Sequence, residues 1–135
     1  MLDASVAVAW LVAGQGTAAT EVLLAEAHLH DFEAPHIFPV EVRNTLLKLE
    51  RIRRSAPHLT TQALQSLSAY DIEIEPPPSP PTYDAILDLA RSERLSIYDA
   101  LYLWQAMRAG LPLASRDGGL LAAGTARNVP LLDLR

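Results

Sequence analysis

Four of the sixteen acidic residues in this sequence lie in apolar surroundings, where a carboxylate needs a partner for its charge. Asp3 is the only charged side chain among the first twenty residues, and Asp99 stands alone near the start of a long apolar segment. Glu41 interrupts a further apolar segment, and Asp117 closely follows another. We therefore treat these four acids as candidates for a shared site.

Carboxylates gathered in this way suit hard divalent cations, because Mg²⁺ and Mn²⁺ prefer carboxylate and water oxygens as ligands. One or two such ions activate a water molecule and stabilise the leaving oxygen of a phosphodiester. The chain has no cysteine, which excludes disulfides, thiolate metal sites and cysteine nucleophiles. The residue types thus point to metal-assisted hydrolysis.

A simpler interpretation of the same acids stays open at this point. Asp3, Asp99 and Asp117 all fall at predicted helix starts, where carboxylates are favoured as caps and by the helix dipole. Glu41 has Arg43 nearby as an ion-pair partner. The two interpretations are compatible, because a helix start also fixes the position of a ligand.

The remaining polar and aromatic residues give weaker signals. A net charge of −5 argues against broad binding to a nucleic-acid backbone, although one basic cluster exists at Lys48, Arg51, Arg53 and Arg54. His28 and His30 are two residues apart on a predicted helix and would not face each other, so we expect them on the surface. Four aromatic residues lie in apolar helices, where packing in the core is the default expectation: Trp10, Trp104, Tyr98 and Tyr102.

The elements that must position the acids alternate between short apolar strands and amphipathic helices, a pattern typical of a parallel sheet covered on both faces. Strands are predicted at Met1–Asp3, Ile72–Ile74, Pro112–Ser115 and Val129–Leu132. Helices are predicted at Ser5–Val12, Thr17–His30, Val40–Arg53, Leu59–Ala69, Pro80–Arg94, Ile97–Ala109 and Leu120–Ala126, with a turn at Pro35–Phe38. Sites in such sheets lie at the carboxyl ends of strands, where Asp3 and Asp117 fall.

Four segments that contain these acids resemble the PIN-domain proteins of the VapC toxin type. The segments follow one another in the family's order and together cover nearly the whole chain: Leu2–Trp10, Phe38–Leu47, Leu95–Leu103 and Leu113–Leu120. Each motif alone is modest, but four in order are specific. Only Met1 and Leu2 precede Asp3, fewer residues than family members usually have, so we expect a less stable first strand.

The resemblance implies an α/β/α sandwich around a parallel sheet and a ribonuclease that depends on Mg²⁺ or Mn²⁺. It maps the family's metal-binding acids onto Asp3, Glu41, Asp99 and Asp117, and supporting polar residues onto Ser5 and Ser115. Many relatives are homodimeric toxins that cut tRNA or ribosomal RNA and are blocked by a cognate antitoxin. We expect a homodimer through the third to fifth helices, with a self-contact at exposed apolar positions of the fourth helix, namely Leu59, Leu64 and Leu67.

We expect one nuclease domain over residues 1–135, located in the cytoplasm and without a membrane anchor. No basic residue precedes the apolar segment Ala4–Ala13, and that segment is too short to span a bilayer. Two other functions remain: a catalytically silent PIN-like module that binds RNA or protein, and a haloacid-dehalogenase-like phosphatase. The phosphatase chemistry requires an acid two residues after the first one, where this chain has Ser5.

Overall fold

The computed structural model describes residues 1–135 as an α/β fold of seven α-helices and four short strands. The strands are β1 (Phe32–Ala34), β2 (Ile72–Ile74), β3 (Leu113–Ser115) and β4 (Leu131–Asp133). The helices are α1 (Ala4–Leu11), α2 (Ala18–Ala25), α3 (Phe38–Arg53), α4 (Pro57–Leu67), α5 (Pro80–Glu93), α6 (Ile97–Ala109) and α7 (Gly118–Ala126).

Residues 1–3 join two parallel strand pairs, β1 with β2 and β3 with β4, into one sheet. The Leu2 N–H donates to the Glu33 carbonyl at 2.8 Å on one side. On the other side, the Asp3 N–H donates to the Ala114 carbonyl at 3.0 Å, and Leu2 bridges Ala114 in parallel. The order across the sheet is therefore β2, β1, residues 1–3, β3, β4, with Asp3 at the carboxyl end of the central segment.

The first helix after this segment is buried on nearly all sides. Ala4, Val6, Ala7, Val8 and Ala9 are all buried, and α1 contacts α2, α3, α4 and β3. Small and β-branched side chains allow this close approach, and they leave α1 without a polar face. The start of α1, including Asp3, is consequently held from several directions.

The sequence analysis does not predict one of the strands, and one of its predicted helices is longer than the helix in the structure. The predicted helix Thr17–His30 ends at Ala25 and is followed by a 3₁₀ turn at Ala27–Leu29, after which β1 begins at Phe32. Three residues are too few to show an alternating pattern, which is why β1 went unrecognised. The last strand is β4 at Leu131–Asp133, two residues later than its predicted start, and other boundaries differ by one to three residues.

The exposure of the side chains confirms the expectation for the two histidines, but it differs from the expectations for one tyrosine and for the apolar patch on the fourth helix. His28 and His30 are exposed, but Tyr98, predicted to pack in the core, is 54% exposed. Leu64 and Leu67 pack half-buried against the core, so Leu59 is the only exposed member of that predicted apolar patch. None of the helices has the length and apolar character that a membrane span requires.

Candidate active site

Asp3 is a buried carboxylate held by two serine hydroxyls. Only 7% of the residue is exposed, and its Oδ2 accepts hydrogen bonds from Ser5 Oγ and, at 2.7 Å, from Ser115 Oγ. Asp3 occupies the N-cap position of α1 but makes no side-chain cap hydrogen bond. Burial raises the pKa of Asp3, the two hydroxyl hydrogen bonds oppose this rise, and the nearby Asp99 carboxylate adds to it.

The same two serines connect Asp3 to the loop after β3. The Arg116 N–H donates to Ser5 Oγ at 3.1 Å, and the Asp117 N–H donates to Ser115 Oγ at 2.9 Å. Each serine hydroxyl thus donates to the Asp3 carboxylate and accepts from a backbone N–H of the loop. The result is a fixed spacing between Asp3 and the start of α7.

Glu41 lies in the first turn of α3 and is paired with a tyrosine instead of an arginine. The Tyr102 hydroxyl donates to Glu41 Oε2 at 2.6 Å. Burial raises the pKa of Glu41, and the negative charges of Asp3 and Asp99 raise it further. Arg43 turns away and donates to the Pro39 carbonyl at 2.8 Å, so the sequence-based alternative of a Glu41–Arg43 ion pair is wrong.

Asp99 lies in the first turn of α6 and is fixed by the residue that caps this helix. Ser96 Oγ accepts the Asp99 N–H at 3.1 Å and donates to Asp99 Oδ2 at 2.6 Å. The charge of Asp99 contributes to the raised pKa of both Asp3 and Glu41. The structure therefore brings three of the four candidate acids, Asp3, Glu41 and Asp99, within mutual electrostatic reach, and we call them the acidic cluster.

Asp117, the fourth candidate, lies at the rim of this cluster. Its side chain is exposed and caps α7, with Oδ1 accepting the Leu120 N–H at 2.8 Å. Its charge is not among those that shift the pKa of Asp3 or Glu41. The capping interpretation is thus correct for the Asp117 side chain, while its backbone is tied to Asp3 through Ser115.

Tyr102 is a residue of the acidic cluster that the sequence analysis assigned only to the core. Its side chain is 1% exposed, as expected for core packing, yet its hydroxyl reaches Glu41. Burial and the adjacent Glu41 carboxylate raise the pKa of Tyr102 above its ordinary range, so the hydroxyl keeps its proton and acts as a donor. The available signal was its spacing, because Tyr102 lies three residues after Asp99 on the same face of α6.

Comparison with known proteins identifies the family. The model of the PIN domain family matches residues 1–125. The chain belongs to the PIN domain family. Proteins of this family are generally nucleases. The crystal structure of PAE2754 from Pyrobaculum aerophilum has the same fold, with a TM-score of 0.68 and 22% sequence identity over 90% of this chain and 82% of that one. No curated protein sequence gives a significant match.

The acidic cluster of this PIN domain has no basic partner within the chain. The four ion pairs of the structure use other acids, namely Glu75, Asp88, Glu93 and Asp133. Arg116, the basic residue closest in sequence to Asp117, forms no ion pair. Buried carboxylates without a cation are costly, and the raised pKa values of Asp3 and Glu41 express that cost.

The donor set of the PIN domain fits a hard divalent cation in chemistry, since it consists of carboxylate and hydroxyl oxygens alone. No group of three or more acidic, histidine or cysteine side chains is close enough to hold an ion together in this arrangement. Mg²⁺ in proteins commonly uses one or two carboxylates and keeps several water ligands, so the spacing is compatible with that mode. Asp3, Glu41 and Asp99 are the residues that would contribute oxygens.

We expect Tyr102→Phe to reduce nuclease activity about tenfold while the domain stays folded. The change removes one hydroxyl and leaves Glu41 Oε2 without its donor, so the Glu41 pKa rises further and its orientation loosens. Its pH–rate profile should shift to higher pH, because Glu41 must be ionised to attract a cation. Tyr70→Phe, which removes a half-buried tyrosine hydroxyl without a side-chain hydrogen bond, serves as the control. An unshifted profile at full activity would mean that Tyr102 only fills space.

Proposed function

We propose that this PIN domain, comprising residues 1–135, is a metal-dependent endoribonuclease that hydrolyses phosphodiester bonds of RNA. The observation that carries the proposal is the acidic cluster, whose three carboxylates repel one another and have no cation in the chain. A purely structural role would leave this repulsion without compensation. A divalent cation bound there would remove the repulsion between the carboxylates and would supply activation of water and stabilisation of the leaving oxygen.

Each side chain has a role that follows from its contacts. Asp3, Glu41 and Asp99 would provide the oxygens for Mg²⁺ or Mn²⁺, one or two of them to an ion and water completing the coordination, and Asp117 would provide a further carboxylate at the rim. Ser5 and Ser115 hold Asp3 in one orientation through its Oδ2 atom. Tyr102 holds Glu41, and Ser96 holds Asp99. Positioning of this kind is required because a small misplacement of a catalytic group costs much of the rate.

The basic cluster on α3 is not part of this site. Lys48, Arg51, Arg53 and Arg54 are exposed near the end of α3, whereas Glu41 lies in its first turn. At 1.5 Å per residue, Lys48 is roughly 10 Å along the helix from Glu41, and the three arginines are roughly 15–20 Å from it. Cations at a helix C-terminus are favoured by the dipole, so this cluster needs no contact with RNA to account for it.

The direct test is cleavage of single-stranded RNA with Mg²⁺ or Mn²⁺ and in chelator. We expect cleavage with either ion and none in chelator. RNA that is bound but never cut, with or without metal, would instead indicate the catalytically silent binding module. A tRNA and a ribosomal RNA fragment should be included, because we propose that one of these is the substrate in the cytoplasm.

We further propose that the protein is the homodimeric toxin of a type II toxin–antitoxin pair, with an antitoxin that covers the site. Support for a protein interface comes from an apolar groove of about 390 Å³ at the junction of α1, α3 and α4. Leu59 lines it and is 49% exposed, and Ile52 nearby in sequence on α3 is 78% exposed. An apolar groove with an exposed apolar side chain in its wall is typical of interaction surfaces.

We expect the wild-type protein to be a dimer by light scattering at micromolar concentration. Leu59→Ser should shift the population towards monomer, because it replaces an exposed apolar side chain in the groove with a polar one. Leu132→Ser is the matched control, since Leu132 is similarly exposed at 45% but lies on β4 at the other edge of the sheet. A monomeric wild type, or dissociation by the control alone, would reject this interface.

A further inference from the structure

A separate cavity of about 220 Å³ lies at the carboxyl end of the sheet, and no residue of the acidic cluster lines it. We call it the α6 cavity. Its walls are the loops that follow β1 and β2 and one face of α6, with polar and aromatic side chains from His36, Glu75, Trp104, Gln105 and Arg108. The Glu75 N–H donates to the Ala34 carbonyl at 2.9 Å, which fixes the two loops against each other where their strands end.

Gln105 lines this cavity and carries an unsatisfied amide nitrogen just beneath its surface. The residue is only 4% exposed, and its Nε2 atom is buried without a hydrogen-bond partner in the chain. A buried amide without a partner is a net cost to folding, and such groups are rare in native proteins. An amide carries two donors and one acceptor, so a rotation of the Gln105 side chain towards the cavity would let a ligand edge with complementary groups satisfy it.

Trp104 and Arg108 provide a flat surface in the same wall. The Arg108 guanidinium lies 5.3 Å from the centre of the half-buried Trp104 ring and donates to Glu75 Oε2 at 2.8 Å. Because Glu75 neutralises Arg108, the cavity carries no free positive charge. The Glu75 carboxylate would also repel a phosphate group in the cavity. The lining therefore favours an occupant that is flat, polar and uncharged.

We infer that the α6 cavity receives one unpaired base of an RNA strand bound at the acidic cluster. The inference rests on the proposed function. Single-stranded RNA is recognised by stacking of bases on aromatic or arginine planes and by hydrogen bonds to base edges. Trp104 and Arg108 supply the planes, and the Gln105 amide would supply the hydrogen bonds once it turns towards the base. The cavity is smaller than the roughly 300 Å³ at which drug-sized pockets begin, so it suits a single ring system.

The position of the α6 cavity allows one RNA strand to reach both the cavity and the acidic cluster. Glu75 follows β2, and β2 is two strand spacings, about 10 Å, from the segment that ends in Asp3. Both Asp3 and Glu75 lie at the carboxyl end of the parallel sheet. Helix α6 borders both sites, because Tyr102 contacts Glu41 while Gln105 lines the cavity. The base would belong to a nucleotide near the bond that is cut.

The test uses Trp104 fluorescence in the full chain, in chelator so that no RNA is cut. Trp10→Phe leaves Trp104 as the single tryptophan, and Asp99→Asn removes one charge that repels the strand. A short single-stranded oligoribonucleotide of mixed sequence should quench this fluorescence. An abasic strand of the same length should not, because it lacks the base that stacks. Gln105→Leu, which keeps the side-chain bulk, should weaken binding of the intact strand about tenfold.

Three results would overturn the inference. Equal quenching by the intact and abasic strands would show contact with the backbone alone. Unchanged affinity in Gln105→Leu, with a higher melting temperature, would show that the amide is only a packing defect. No quenching by the intact strand would show that no base enters the cavity. Because this readout needs no cleavage, base-dependent quenching in a protein that never cuts RNA supports the cavity and rejects only the nuclease proposal.

Discussion

Asp99→Asn is expected to cleave RNA at least about a hundredfold more slowly than the wild type, as with other losses of a group that stabilises a transition state. The substitution keeps the shape of the side chain and an oxygen that can accept from Ser96 Oγ, so α6 should remain capped. What it removes is one negative charge beside Asp3 and Glu41. The loss should therefore appear in kcat/KM with Mg²⁺ or Mn²⁺.

Asp84→Asn is the matched control for this measurement. Asp84 is an exposed acid on α5 that forms no ion pair, so its loss changes the net charge equally without touching the acidic cluster. We expect the control to retain activity within about twofold, because distant surface charges are screened by salt. Equal rates for wild type and Asp99→Asn would reject the assignment of Asp99.

The same substitution should have the opposite effect on stability in the absence of metal. The pKa values of Asp3 and Glu41 are raised in the folded protein above their ordinary values of 3.8 and 4.5. Below those values both residues are protonated in the folded and unfolded states, and the folded state suffers no repulsion. As pH rises through the raised pKa values the folded state resists ionisation, so stability is lost.

We therefore expect the metal-free protein to melt higher near pH 5 than at pH 7, and Asp99→Asn to melt higher than wild type in chelator at pH 7. Mn²⁺ should raise the wild-type melting temperature by about 10 °C at a hundredfold excess over its dissociation constant. It should raise that of Asp99→Asn much less. Thermal melts of both proteins at both pH values, each with chelator and with Mn²⁺, measure these differences.

Asp117→Ala provides the contrast for an acid that does cap a helix. Its Oδ1 accepts the Leu120 N–H, so its loss should lower the free energy of unfolding in chelator by about 1 kcal/mol. If Asp99 were only a helix-start residue, Asp99→Asn would also be neutral or destabilising. If the wild type has the same melting temperature in chelator and in Mn²⁺, and melts above Asp99→Asn, Asp99 serves only as a helix-start residue. That result would contradict the metal site.

The acids of the cluster could be selected from sequence because a charge in an apolar segment is conspicuous. Asp3 and Asp99 are the clearest examples, since each is alone in a segment that the structure buries. Ser5 and Ser115 came from the resemblance alone, and the structure places both hydroxyls on Asp3 Oδ2. A local pattern identifies an unusual residue but does not reveal its partner.

The sequence could not show which side chains contact the acids of the cluster. Arg43 is two residues from Glu41, but on a helix this spacing turns the two side chains apart, and Tyr102, sixty-one positions away, makes the contact. Tyr98 was expected in the core because its neighbours are apolar, yet it lies on the exposed side of α6. The strand β1 could not be predicted because its three residues are too few to show the alternating pattern of a strand.

The most direct test of the central claim is calorimetric titration of the apo protein with Mn²⁺ at pH 7. The acidic cluster should bind Mn²⁺ in the wild type, and binding should be lost in Asp3→Asn, which removes the charge of the most buried acid while retaining an oxygen for Ser115. Asp84→Asn should bind as the wild type does. Undetectable binding by the wild type, or equal binding by all three proteins, would contradict the assignment of Asp3, Glu41 and Asp99 as a divalent-cation site.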